Sequence, residues 1–146
     1  MQIKELMDLA IKSEEDSYEF YKKASEISKF SNVKDLLIEL SNEELKHKQI
    51  LISLMEGKIT VEEKYLDLKL SDHLPKKEKI DENSTLQDVL QVAMTREKKE
   101  YEFYNSLKNK VKENEVKKIL EFLSNQELTH KAKLENLYDE LIYKEF

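Results

Sequence analysis

The segment NEELKHK at residues 42–48 returns as NQELTHK at residues 125–131, and this repeat decides the fold. In both copies a glutamate precedes a histidine by three residues; these residues are Glu44, His47, Glu127 and His130. The likeness continues outward at the same interval of 83 residues, because YEFY occurs both at 18–21 and at 101–104. The chain therefore contains one unit twice, and that unit is longer than the motif.

Apolar residues recur at alternating steps of four and three, which is the spacing of one face of an α-helix. The segments with this spacing are 3–28, 33–56, 85–111 and 114–144. Only a few residues separate the first from the second and the third from the fourth, so each pair predicts an antiparallel hairpin. One glycine and one proline in 146 residues argue against strands and turns. The sequence predicts an all-α four-helix bundle in a single domain, with hairpins at 3–56 and 85–144 joined by a crossover at 57–84.

Capping residues mark the ends of the predicted helices. Gly57 follows the second helix and is well placed for a left-handed C-terminal cap. Ser84 or Thr85 precedes the third helix, where its hydroxyl can cap the first turn. Inside the crossover, Thr60 and Glu63 have capping-box spacing, which predicts a short additional helix.

The composition excludes several classes of protein. Charged residues of both signs are well mixed and the net charge is −6, so we expect no nucleic-acid partner. The chain has no cysteine, which excludes disulfides, thiolate metal sites and cysteine nucleophiles. No apolar run reaches membrane-spanning length, and the first residues lack the pattern of a secretory signal. We therefore predict a cytoplasmic protein without a membrane partner.

Ionisable residues interrupt each apolar stripe near its middle. The inward set is Glu14, Glu44, His47, Glu97, Glu100, Glu127 and His130. Mid-helix positions of antiparallel helices lie at one level, so these side chains should meet. Burying five carboxylates would cost several kcal/mol for each ion, whereas bound cations would offset that cost. Carboxylates and imidazoles suit Fe and Mn, and the two hairpins together predict a dinuclear metal site.

Glu100 breaks the duplication, because the equivalent residue of the first hairpin is Ser17. The other four carboxylates carry a charge that balances two divalent ions. We interpret Glu100 as an additional ligand that is favoured when the metal ions are oxidised.

Tyrosines follow two of the inward glutamates at helical spacing; they are Tyr18, Tyr21, Tyr101 and Tyr104. Their hydroxyls can hydrogen-bond the ligands, and we predict this role for Tyr18 and Tyr101. Alternatively, the rings simply fill the core. His73 has no partner at metal spacing, which predicts a solvated loop residue. The charge runs at 76–79 and 96–100 predict exposed helix or loop.

A pattern of glutamate and histidine alone is weak evidence for metal. With 31 acidic residues in the chain, about one histidine in five has an acid three residues earlier by chance. A metal-free helical interaction protein is therefore an alternative reading. The evidence for metal is joint: two pairs, one repeat interval, a glutamate in each preceding helix, and all of them on core stripes.

These residues resemble the motif of the rubrerythrins, within the ferritin-like diiron-carboxylate superfamily, over nearly the whole chain. The resemblance implies a ferritin-like bundle and two iron ions, with Mn or Zn as substitutes. It implies terminal ligands at Glu14 and Glu97, and bridging ligands at Glu44 and Glu127.

The same resemblance implies that His47 and His130 each bind one iron. Glu100 matches the additional third-helix glutamate that distinguishes rubrerythrins from bacterioferritins. In the family, this glutamate and the histidine at the position of His47 exchange on one iron as the redox state changes.

The resemblance implies a peroxidase that reduces hydrogen peroxide to water in defence against oxidative stress. Many rubrerythrins add a rubredoxin domain with four cysteines, and this cysteine-free chain departs from that pattern. We therefore expect a stand-alone erythrin domain, a separate electron donor such as a rubredoxin or a flavoprotein reductase, and a homodimer. The alternative is a ferroxidase that oxidises Fe(II) with oxygen for iron storage or detoxification.

Overall fold

Four long helices form the chain, and the computed structural model describes residues 3–61 and 70–143 of it. The helices are α1 (Ile3–Ile27), α2 (Ser31–Glu56), α3 (Leu86–Lys108) and α4 (Asn114–Tyr138). A short 3-10 turn, Leu70–His73, lies in the crossover, and a π-helical turn, Asp139–Tyr143, continues α4. The prediction of an all-α four-helix bundle is confirmed.

Two predicted helix ends differ from those of the structure. The third helix ends at Lys108 and not near Val111, because Val111 forms an isolated antiparallel bridge with Val61 of the crossover. The Lys112 N–H donates to the Thr60 carbonyl at 2.9 Å beside that bridge. The fourth helix changes to π-helical geometry after Tyr138, so the predicted end at 144 was too late for a regular α-helix.

The cap predicted at Thr85 is confirmed, since its hydroxyl accepts a hydrogen bond from the Asp88 N–H at 3.0 Å. The left-handed cap predicted at Gly57 is wrong. Gly57 is extended, with φ −95° and ψ −170°, and its N–H donates to the Leu54 carbonyl at 3.1 Å. The chain leaves α2 in an extended conformation toward the bridge at Val61, so no left-handed residue is needed. The short helix predicted from Thr60 and Glu63 falls mostly at 62–69, outside the described residues.

The two hairpins pack face to face. Helix α1 runs antiparallel to α3, because Ser17 contacts Glu100 while Tyr21, one turn further on, contacts Glu97. Helix α2 likewise runs antiparallel to α4, because Glu39 contacts Lys133 at 2.7 Å while His47, two turns further on, contacts Gln126 at 3.3 Å. All four helix midpoints therefore lie at one level, as the sequence predicts.

Two apolar clusters occupy the two ends of the bundle. One contains Met7 and Leu120, and the other contains Leu37 and Leu134. On every helix the inward ionisable residues fall between the residues of the two clusters, so a polar layer lies between two apolar ones. None of the helices in the described ranges is long and apolar enough to cross a membrane.

Candidate metal centre

The polar layer brings together side chains from all four helices. Its ionisable members are Glu14, Glu44, His47, Glu97, Glu100, Glu127 and His130, and each is between 0% and 4% exposed. Burial of this degree is unusual for carboxylates without charged partners. It follows here from helical spacing, since each residue continues the apolar stripe of its helix.

Six of these seven residues form two groups with metal-ligand spacing. The first is Glu14, Glu44, His47 and Glu127, and the second is Glu44, Glu97, Glu127 and His130. Within each group one ligand atom of every residue lies within 4.8 Å of the others. Glu44 and Glu127 belong to both groups, so each has the placement of a carboxylate that bridges two ions. Glu100 belongs to neither group.

The histidines contact glutamates of the opposite hairpin. His47 Nδ1 lies 2.7 Å from Glu127 Oε1, and His130 Nδ1 lies 3.4 Å from Glu44 Oε1. The two imidazoles are nearly parallel, at 13°, with ring centroids 5.7 Å apart. This arrangement gives one imidazole to each group.

The hydrogen bonding of the layer tests whether metal ions fit. Both carboxylate oxygens of Glu44 and of Glu127 are buried without a hydrogen-bond partner among the described residues. The same holds for Nδ1 of His47 and of His130. Buried polar atoms are nearly always satisfied in folded proteins. These orphaned oxygen and nitrogen atoms converge, and they form a donor set suited to Fe or Mn.

Burial, and after it the mutual repulsion of the carboxylates, shifts their pKa values. Burial, followed by the charge of Glu100, raises the pKa of Glu14 to about 7. The same two causes raise the pKa values of Glu44 and Glu127 well above the usual range. Burial also raises the pKa of Glu97, but Glu127 and His130 favour its ionised form, and its pKa is lowered overall. Protonation of the carboxyls whose pKa is raised therefore relieves part of the charge that cations would otherwise balance.

Two tyrosines hold carboxylates of the cluster across the α1–α3 interface. The Tyr21 hydroxyl donates to Glu97 Oε1 at 2.7 Å, and the Tyr104 hydroxyl donates to Glu14 Oε1. Both rings are buried. Each therefore fixes the orientation of a carboxylate that belongs to only one ligand group.

The prediction that named Tyr18 and Tyr101 for this role is wrong. Neither hydroxyl hydrogen-bonds the cluster within the described part of the chain, and both side chains are half-buried. The reason is helical phase: seven residues make nearly two full turns, whereas four residues make more than one. Tyr21 and Tyr104 thus continue the line of the glutamates, and the other two tyrosines turn toward the helix edge.

Glu100 is held beside the ligand groups by two residues. The Ser17 hydroxyl donates to Glu100 Oε1, and the same hydroxyl oxygen accepts hydrogen bonds from Arg96. Arg96 is only 2% exposed, and Glu97 and Glu100 are buried as well, so the prediction that the run 96–100 is exposed is wrong at these three residues. A signal was present in the sequence, because Arg96 precedes Glu100 by one helical turn and both residues lack a charged counterpart in the first hairpin.

His73 lies away from the cluster, as its spacing predicts. It ends the 3-10 turn Leu70–His73, with its side chain 42% exposed and Nδ1 3.8 Å from Glu102 Oε2. The neighbouring charge run 76–79 is exposed, as expected.

Solved structures and a family model agree with this architecture. The model of the rubrerythrin family matches residues 5–138. A protein of Thermotoga maritima, described as a candidate ferritin-like diiron-carboxylate protein, superposes with a TM-score of 0.77 at 22% identity, covering 96% of each chain. A hypothetical protein of Pyrococcus furiosus superposes with a TM-score of 0.76 at 26% identity, covering 98% of this chain and 92% of the other. No curated protein matches the sequence.

The fold and the buried cluster define a ferritin-like helical bundle with a carboxylate–histidine centre. Because the family model spans most of its length, the chain belongs to the rubrerythrin family.

Proposed function

We propose that the protein is a non-haem diiron oxidoreductase that reduces hydrogen peroxide to water. The observation that carries this proposal is the pair of ligand groups that share Glu44 and Glu127. A fifth buried carboxylate, Glu100, lies beside them, which supports a centre whose ligands change with redox state. The description of the Thermotoga maritima relative as a candidate diiron-carboxylate protein points the same way.

The residues that would hold the two ions are Glu14, Glu44, His47, Glu97, Glu127 and His130. When bound, two ferrous ions supply the two electrons that the reduction of peroxide to water requires, which Zn²⁺ does not. Tyr21 and Tyr104 orient one carboxylate of each ligand group. The apolar clusters on both sides of the layer limit the access of water, so solvent screens the attraction between the carboxylates and the cations only weakly.

Electrons must reach the centre from elsewhere, because these 146 residues contain no cysteine that could hold a rubredoxin-type iron. We propose a separate donor, such as a rubredoxin or a flavoprotein reductase, and a homodimer as the working assembly.

Anaerobic titration of the metal-free protein with ferrous iron, followed by rapid mixing with hydrogen peroxide or with oxygen, tests the proposal. We expect two irons per chain and an absorbance change that is much faster with peroxide than with oxygen. Faster reaction with oxygen would instead identify a ferroxidase. No stoichiometric iron would leave the metal-free interaction protein as the better reading.

Adjacent glutamates of α2 provide matched variants for that experiment. Glu44→Gln removes a shared ligand and should abolish paired iron binding. Glu43 is only half-buried and contacts the Lys46 ammonium at 3.2 Å, so Glu43→Gln should bind and react as the wild type does. Equal loss in both variants would mean that a general charge effect, and not a shared ligand, explains the result.

A further inference from the structure

We propose that Arg96 is a positioning residue that holds Glu100 in reserve beside the metal pair, acting through the hydroxyl of Ser17. The inference rests on the proposed function, because it assigns a purpose to the one inward carboxylate that belongs to neither ligand group. Arg96 would thus control how easily Glu100 joins the metal ions, although Arg96 itself belongs to neither ligand group.

The contacts form a single chain from Arg96 to Glu100. Arg96 Nε and Nη2 donate to Ser17 Oγ at 3.1 and 2.8 Å, and Ser17 Oγ donates its proton to Glu100 Oε1. Because Nε and Nη2 of Arg96 both donate to Ser17 Oγ, the proton of the Ser17 hydroxyl is directed toward Glu100. The serine therefore transmits the position of the arginine to the carboxylate.

The arginine is itself fixed from three sides. Besides its bonds to Ser17, Nη1 donates to the Lys76 carbonyl of the crossover at 2.8 Å. The guanidinium carbon lies 5.7 Å from the centre of the Phe20 ring, within the range of a cation–π contact. The planar fork uses its donors in directions that a lysine ammonium cannot reproduce.

The internal repeat supports a pairing of the two charges. At the interval of 83 residues, Arg96 corresponds to Ser13 and Glu100 corresponds to Ser17. The second hairpin thus carries one buried cation and one buried anion where the first has two small hydroxyls. A buried charge without a partner is strongly destabilising, and here each of the two charges balances the other.

Glu100 is nevertheless held by one oxygen only. Its Oε2 is buried and has no hydrogen-bond partner among the described residues. The carboxylate can therefore rotate or move toward the ions while it gives up the hydrogen bond from Ser17 and keeps its proximity to the shared ligand Glu127. The charge of Arg96 favours the withdrawn position, and bound cations favour the other.

A double-mutant cycle with Arg96→Gln and Glu100→Gln tests this arrangement, with the affinity for Mn²⁺ as the readout. Removal of a nearby positive charge raises the affinity for a cation whether residue 100 is glutamate or glutamine. The difference between these two gains therefore measures the part that acts through Glu100. We expect Arg96→Gln to tighten Mn²⁺ binding by about tenfold more when residue 100 is glutamate than when it is glutamine. Arg96→Lys keeps the charge but cannot reproduce the fork that holds Ser17, so it should show much of this gain when residue 100 is glutamate.

Equal gains in both backgrounds would overturn the proposal, because Arg96 would then act only through its general charge. If Arg96→Gln fails to fold without metal, recovery of folding in the double variant would support the pairing, and failure of both would make Arg96 merely structural.

Urea unfolding of the metal-free variants separates this inference from the proposed function. Coupling between the two positions should appear there even without metal. A wild-type protein that binds no Mn²⁺ or Fe²⁺ would refute the metal site, whereas absent coupling in unfolding would refute the role of Arg96 alone.

Discussion

Replacement of Glu14 by glutamine should change how the stability of the metal-free protein depends on pH. Glu14 is 1% exposed, and burial raises its pKa from 4.5 to about 7. A carboxyl whose pKa is raised by folding stabilises the native state fully below pH 4.5, where both states are protonated. That contribution is lost as the pH rises to about 7, because ionisation then favours the unfolded chain.

The size of the effect follows from the shift. Each unit of pKa is worth about 1.4 kcal/mol, so the difference between 4.5 and 7 corresponds to about 3 kcal/mol. The wild type should therefore lose about 3 kcal/mol more unfolding free energy than Glu14→Gln over this range. Glutamine keeps an oxygen that can accept the hydrogen bond from Tyr104, so the variant changes charge more than shape.

Urea unfolding of metal-free protein at a series of pH values measures this difference directly, since any pH-independent cost of the amide cancels. Glu19→Gln is the matched control, because it removes the same charge from an exposed position of the same helix. The same pH dependence in wild type and Glu14→Gln would refute the reasoning. Added divalent metal should make the wild type more stable than Glu14→Gln, because the wild type binds the metal more tightly and binding stabilises the folded state.

Three further changes probe the centre and the core. Glu100→Ala should still bind two irons, but its peroxide turnover should fall, and unchanged turnover would contradict an exchanging ligand. Tyr104→Phe should weaken metal binding by about tenfold or more because Glu14 loses its orienting hydrogen bond, whereas Tyr101→Phe should not. Leu120→Ala should lower the unfolding free energy by about 2–5 kcal/mol because its side chain is fully buried. The exposed Leu128 should tolerate alanine with little loss, and equal losses at both leucines would contradict the assigned core.

The centre could be predicted from the sequence because helical periodicity is a strong constraint. Glu44 and His47 continue an apolar stripe, so their inward direction follows from the spacing of the leucines around them. The duplication then placed Glu127 and His130 in the equivalent position of the second hairpin. Mid-helix residues of antiparallel helices lie at the same height in a bundle, so the two pairs could be predicted to meet without knowledge of side-chain contacts.

Details that depend on contacts between helices were not predictable in the same way. The sequence places four tyrosines on or beside the inward face of their helices, but only the packed bundle shows that Tyr21 and Tyr104 are the two that hydrogen-bond the glutamates. Arg96 lies in a run of charges that is typical of an exposed segment, and its burial depends on Ser17 from another helix and on Lys76 from the crossover. The conformation of Gly57 depends on the bridge that the crossover makes far along the chain.

Anomalous diffraction at the iron edge, from crystals loaded with ferrous iron without oxygen, tests the metal pair most directly. We predict two peaks per chain, both adjacent to Glu44 and Glu127, with His47 at one ion and His130 at the other. A single peak, or no peak between these two glutamates, would contradict a dinuclear centre.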